Sequence, residues 1–431
     1  MTGDPRTAHA TALAGAAELD ALDPLASFAT AFAKPADAIY LDGNSLGLLC
    51  RPAEQALQEA LETWRHRAIL GWTEGPEPWF DMSRRAAALL APILGADAAD
   101  VMVGQSTTVN LHQLLATFYD PHSPRPRILI DEHSFPTDHY AVESHLRLRG
   151  RDPARDLVVA PSPDDRPLDE TAILGAMDDT VGLAVLPTVL YRSGQLLAVP
   201  ALTRAARAAG VQIVWDCSHS AGVVPHYFGA DDVDFAFGCT YKYVNGGPGA
   251  VGFLYVSPRW RDYRPGLAGW FGSDPARQFE MAPEFTPAAD AGRFLMGTPH
   301  VLSLAPLLGA LQLILNADVA ALRMKSLRLT AFLRQLVERR LARHGVRVVT
   351  PEEDHHRGGH ITIAHPESGR LSRALRARGV IPDYRPPDLL RLCPAPLYTS
   401  FVECERAVNV IDELLTHRSY EIFPEHDVLV T

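Results

Sequence analysis

The chain has 431 residues, 47% hydrophobic and 21% charged, with a formal net charge of −11. That acidic balance argues against a nucleic-acid surface and against adhesion to anionic membranes, and the length exceeds what one hydrophobic core normally holds. No apolar run approaches the roughly 18 residues of a membrane span, the opening MTGDPRTAHATALAGAAELD lacks a signal peptide's basic start and apolar centre, and Cys50, Cys217, Cys239, Cys393 and Cys404 form no CxxC pair. A cytoplasmic protein with reduced thiols is expected, its partners small molecules or a second copy of itself.

In chain order, residues before about 45 read as an arm. From about 83 to 256, helices and buried strands alternate. SRRAAALLAPILG and VNLHQLLATFY read as helices. ILID, DLVVAPS, GLAVLPTVL, VQIVWDCSH, VDFAFGCTY and AVGFLYVS read as short strands, with LTRAARAAG a crossover helix, and PHSPRPR and PSPDDRP as loops. Such near-continuous apolar strands predict a mostly parallel sheet covered by helices on both faces. Past about 300, the long helical patterns VLSLAPLLGALQLILNA and LRMKSLRLTAFLRQLVERRLARHG lead to strands VRVVT and HITIAH, a helix LSRALRARG, and a last helix near 402–416. The expected division is an N-terminal arm (1–45), a large domain (46–300) and a small C-terminal α/β domain (301–431), the arm packing near the last.

Ligands of open parallel sheets lie beyond the carboxyl ends of the strands, so residues just after each strand are the candidates. Of the 40 basic residues only Lys34, Lys242 and Lys325 are lysines. Arginine carries charge as well, but it cannot shed a proton to become a nucleophilic amine. Lys242 stands between two tyrosines after VDFAFGC, and Asp216 ends VQIVWD at a neighbouring strand. A pyridoxal phosphate enzyme needs such a pair: a lysine for the Schiff base and a carboxylate for the pyridine nitrogen. Ser106, Thr107 and Thr108 open a helix whose amides suit a phosphate. In FPTDHY, Phe135 is placed to stack on a flat cofactor and Asp138 to meet its polar edge. Each residue has an ordinary reading too: a snorkelling lysine, a turn aspartate, helix caps, a core phenylalanine.

Taken together, YLDGNSLGLL, TTVNLH, FPTDHYAVES, WDCSHSAG, GCTYKYVNGGPG, GWFG, GTP and PLYTSF resemble the kynureninase family along almost the whole chain. The resemblance implies a fold-type I pyridoxal phosphate transferase fold, with Lys242 as Schiff-base lysine, Asp216 at the pyridine nitrogen, and Phe135 and Asp138 at the ring. It places Thr107, Thr108 and His219 in the cofactor pocket and Tyr241 at the phosphate with a part in proton transfer. Arg391 matches the arginine that holds the substrate carboxylate, and Asn44, Ser45 and Trp72 line the aryl end. Trp270 and Thr298 match residues contributed by the neighbouring subunit, which implies a homodimer. The implied reaction is hydrolytic Cβ–Cγ cleavage of L-kynurenine or its 3-hydroxy form to an anthranilate and L-alanine, in tryptophan degradation.

Three positions depart from the family's pattern: Ser273 follows GWFG, and Pro187 and Leu190 stand where polar groups are usual. Compensation by neighbours such as Thr188 is one explanation, and a ring-substituted kynurenine in a biosynthetic route another. An aminotransferase, a desulfurase and a non-catalytic cofactor-binding protein also stay open. His355, His356 and His360 in EEDHHRGGH match no metal-ligand spacing and read as a solvated loop.

Overall fold

The computed structural model describes residues 15–162 and 167–424, so the first part of the arm and the middle of PSPDDRP lie outside the described residues. Two helices, α1 (Arg51–Arg67) and α2 (Met82–Leu94), precede a short strand, β1 (Val101–Val103). Then follow α3 (Thr107–Phe118), β2 (Arg127–Asp131), α4 (Pro136–Leu148), β3 (Leu157–Ala160), β4 (Val181–Pro187), α5 (Val199–Ala208), β5 (Gln212–Asp216), β6 (Phe235–Gly238) and β7 (Phe253–Val256). The strands form one sheet in the order β1-β7-β6-β5-β4-β2-β3, and β7 alone runs antiparallel to its neighbours.

Alternation along each strand explains why the runs are apolar throughout. Leu129, Ala184, Leu186, Ile213 and Trp215 point into one core, beneath α2. Ile128, Leu183, Val185, Val214 and Phe237 point into another, beneath α3 and α4. A strand buried on both faces has no polar side to reveal its period.

Beyond β7, α6 (Val301–Ala317) and α7 (Val319–Arg340) meet at a 79° bend. The small domain continues through β8 (Arg347–Val348), β9 (Ile361–Ala364), α8 (Ser368–Ala377), β10 (Asp383–Arg385), β11 (Leu389–Leu392) and α9 (Phe401–Thr416). Its strands pair antiparallel in the order β10-β11-β9-β8. Helix α6 packs on the large core and α7 on both. Leu304, Leu307, Leu311 and Ile314 of α6 are buried in the large core against α1 and α2, and the small-domain core starts on α7 with Leu329. Among the described residues no single helix is long and apolar enough to cross a membrane.

The arm belongs physically to the small domain. Ala16, Ile39 and Leu41 join its core, and Ile39–Tyr40 pairs in parallel with Val380–Ile381. The Asp20 carboxylate accepts from the free amides of Phe401 (2.7 Å) and Val402 (3.0 Å) at the start of α9, satisfying donors that a helix end leaves unpaired. Lys34 pairs with Glu403 at 2.7 Å, and Lys325 of α7 pairs with Asp23 at 2.6 Å with both side chains at least 95% buried. Breaking a buried pair strands one charge away from water. Lys325→Ala is therefore expected to lower unfolding free energy by about 3–5 kcal/mol in urea titrations, with the double change Lys325→Met, Asp23→Leu recovering most of that loss.

Candidate active site

Strand ends assemble the centre of the site. Asp216 is the last residue of β5 and lies opposite Phe237 of β6 in register, while Lys242 stands on the turn four residues past Gly238. The Asp216 Oδ1 accepts from the Ser218 amide at 2.8 Å and from its hydroxyl at 2.6 Å. The Lys242 Nζ is 2.8 Å from His219 Nε2, with the Phe135 and Tyr241 rings 5.9 and 5.8 Å away. Phe135 caps α4, which brings Asp138 one turn into the helix and fully into the interior.

Burial dominates the electrostatics here. It lowers the Lys242 pKa, with Arg391 and Arg385 adding to the effect while Cys239 and Asp216 oppose it, so the amine loses its proton at lower pH than an ordinary lysine. Burial raises Asp216, against the Ser218 hydrogen bonds and Lys242. It raises Asp138 further, with Asp216 and Asp131 as neighbouring negative charges, and it raises the Tyr241 hydroxyl. His219 is held well below its usual value by burial and by Lys242, hence neutral.

The chain fits pyridoxal phosphate at this place. Asp138 Oδ2 and His219 Nδ1 are buried with no partner in the chain, and Asp216 is placed for a protonated ring nitrogen. The mouth of α3 is capped by Ser106, whose hydroxyl accepts from Val109, leaving amides open beside Thr107 and Thr108. A side chain at Gly252 would meet the Thr107 amide at 3.0 Å, so glycine keeps that approach clear.

A second group completes the crevice from the small domain. Arg391 on β11 is directly opposite Asp383 on β10 and contacts its Oδ2, which Arg385 also meets at 3.1 Å. Arg391 Nη1 donates to the Tyr191 carbonyl at 2.9 Å and Nη2 to Ser45 Oγ at 3.1 Å, while Nε has no partner. Burial brings its pKa down to about 10, leaving it charged at neutral pH. Beside it Asn44 is fully buried, and neither its amide oxygen nor its nitrogen is partnered. The stretch DGNSLG reaches this place only because it has two glycines. A side chain at Gly43 would collide with the Tyr398 hydroxyl, and one at Gly47 with Asn245 and the Lys242 carbonyl. The Gly47 amide donates to the Tyr241 carbonyl at 2.8 Å.

Trp72 falls elsewhere. It was expected with Asn44 and Ser45, but its ring neighbours are Trp79, Phe80 and Phe271, at 5.6, 6.2 and 6.1 Å. Phe271 in turn touches Trp270, which is 45% exposed, and Thr298 is exposed as well. Among the described residues, no ring contact or hydrogen bond of Trp72 or Trp270 involves the Lys242 group.

At the departures, Thr188 supplies a hydroxyl next to Pro187: its Oγ1 donates to the Asp216 carbonyl at 3.1 Å and lies 2.7 Å from Ser220 Oγ. Leu190 is core, and Ser273 bridges to Pro287 on the Trp270 loop.

Four residues of the crevice were not singled out from the sequence for this site. Tyr191 sets its ring edge-on to Phe135 at 5.3 Å and 6.4 Å from His219, and it follows a strand in LPTVLYR, which is a readable signal. Asp383 and Arg385 hold Arg391 by cross-strand pairing, which needs the register to be known. His360, placed above in a solvated loop, is instead fully buried with its ring 6.0 Å from His219, although His355 beside it is exposed. Among the described residues no cluster could hold a metal ion.

Comparison with known proteins gives the family. The family model described as kynureninase C-terminal domain matches residues 322–411. The chain is 47% identical over 417 residues to the kynureninase of Geobacillus thermodenitrificans (strain NG80-2), covering 97% of each chain. It is 46% identical over 408 residues to that of Bacillus anthracis, covering 95% of each. Among solved structures, the cysteine desulfurase CsdA of Escherichia coli superposes with a TM-score of 0.76 at 18% identity, covering 91% of this chain and 98% of that one. The cystine C-S lyase C-DES in complex with cysteine persulfide gives 0.73 at 19%, covering 88% and 97%. At that identity the last two show the fold alone.

Proposed function

The chain belongs to the kynureninase family and is a pyridoxal phosphate-dependent hydrolase, and we propose that its substrate is L-kynurenine, 3-hydroxy-L-kynurenine or both, cleaved to the matching anthranilate and L-alanine in tryptophan degradation. The observation that carries this reading is one crevice with a half-buried lysine at one end and a buried arginine at the other, both reached by DGNSLG. When bound, the cofactor supplies an electron sink for charge that develops on substrate carbons.

The chain's own residues supply the rest. Asp216, fixed by the two Ser218 donors, would hold the ring nitrogen of the cofactor through its carboxylate. Lys242 Nζ, its proton affinity lowered by burial, takes and returns protons at the substrate carbon nearest it, and His219 Nε2 holds the amine in line at 2.8 Å. Arg391 clamps the substrate carboxylate, which fixes the Cα substituents relative to Lys242. Asn44, with an acceptor and two donors unpartnered, meets the polar groups of the aryl ketone.

A second copy completes the site. Trp270 and Thr298 are exposed within one chain, and Trp72 and Trp270 meet through Phe271 with no ring contact to the Lys242 group, which suits residues that line a partner's crevice across a two-fold axis.

Purified protein with added cofactor is expected to release anthranilate or 3-hydroxyanthranilate with an equal amount of L-alanine, measured by fluorescence and amino-acid analysis. Absence of both anthranilates from both substrates would overturn the assignment. For shared sites, an equal mixture of refolded Lys242→Ala and Trp270→Ala chains, each nearly inactive, is expected to recover about a quarter of wild-type activity, because half the dimers are hybrids with one intact site. Activity no higher than that of either parent alone would contradict a shared site.

A further inference from the structure

His360 has no part in the roles assigned above, yet the fold goes to some length to place it. It precedes β9, whose Ile361 pairs with Leu392, the residue after Arg391. Gly194 keeps space open at the ring itself, and the two glycines before His360 let the chain pass Val189 and Tyr243. A side chain at Gly194 would come within 3.2 Å of His360 Nε2, one at Gly358 within 2.8 Å of Val189, and one at Gly359 within 2.7 Å of the Tyr243 hydroxyl. The ring is wholly buried, and neither nitrogen has a well-formed hydrogen bond within the chain. The backbone carbonyl beside it, that of Tyr191, already accepts from Arg391 Nη1 at 2.9 Å.

Its surroundings define what it can bind. Burial is the main cause that keeps the imidazole neutral, the cations Arg391, Lys242 and Arg385 facing it add to that effect, and the Tyr191 backbone contact opposes it. A neutral imidazole has one N–H to give and one nitrogen to accept with. A buried, unpartnered donor among three cations suits an anionic oxygen, and His219, the ring facing it at 6.0 Å, is itself bound to Lys242.

We propose that His360 is a substrate-contacting residue whose ring N–H donates to an oxygen of the amino-acid carboxylate, sharing that group with Arg391. The proposal rests on the reading of the crevice as an amino-acid site and adds a second carboxylate donor, uncharged and contributed from the residue just before the strand next to that of Arg391.

The test is a spectral titration of the holoenzyme, following the cofactor's visible absorbance, with L-alanine and with L-alaninamide, which has the same amine and methyl group but no carboxylate. In His360→Phe, which fills the space without a donor, L-alanine is expected to bind roughly ten- to a hundredfold more weakly, while alaninamide changes by less than about threefold. His360→Gln, which restores an N–H, is expected to bind L-alanine within about fivefold of wild type. If the phenylalanine variant does not fold, His360→Leu reads the same contrast. Equal weakening of both ligands would assign the ring a packing role and overturn the proposal, as would unchanged binding of L-alanine. A wild-type holoenzyme with no spectral response to L-alanine would instead overturn the amino-acid reading, and this proposal with it.

Discussion

A half-buried amine and a buried carboxylate at adjoining strand ends are the constraint on which the rest of this molecule depends. Taking either charge out of water alone is costly, by several kcal/mol for each ion. Asp216 is tolerated because Ser218 gives it two hydrogen bonds and Lys242 lies nearby; Lys242 is tolerated because His219 meets its nitrogen and because burial makes the neutral amine easier to reach. The sheet order serves this pair. With β5 and β6 parallel neighbours, their carboxyl ends open at one edge, and the α3 mouth and the α4 cap come to the same edge. The same desolvation that makes the pair expensive lowers the proton affinity of Lys242 below that of an ordinary lysine.

The second dependence is on how the small domain reaches that edge. Arg391 is carried by an antiparallel sheet with a core of its own, and its guanidinium is aligned by Asp383, Ser45 and the Tyr191 carbonyl. Ser45 comes from the N-terminal segment, which is pinned to the small domain by Asp20, Asp23 and Lys34 and touches the Tyr241 carbonyl through Gly47. One short stretch, DGNSLG, therefore couples the position of the arginine to that of the lysine. This explains why the two lysines that do no chemistry, Lys34 and Lys325, both tie down the arm.

How much of this was legible in the sequence follows from which forces act locally. The doubly buried strands were readable because burial on both faces leaves uninterrupted apolar runs, and the residues after them stood out because open sheets bind ligands there. Strand β1 was too short, at three residues, to show a pattern. That α6 packs on α1 and α2 is not legible in its uniformly apolar sequence, because the choice is made by tertiary contact. His360 was hidden by exposed neighbours in the same short stretch, and only the three-dimensional meeting of β9 and β11 brings it beside Arg391. Trp72 shares a sequence neighbourhood with the N-terminal site residues, yet its ring belongs to the Trp270 cluster.

The central claim, that Lys242 is the covalent anchor of the cofactor, can be tested without assaying turnover. Borohydride reduction of the holoenzyme followed by peptide mass analysis distinguishes the chain's three lysines, Lys34, Lys242 and Lys325. The expected result is a single modified peptide containing Tyr241 and Lys242 with the added mass of the reduced cofactor. Modification of Lys34 or Lys325 in its place, or an unmodified Lys242 in a protein that holds stoichiometric cofactor, would contradict the account.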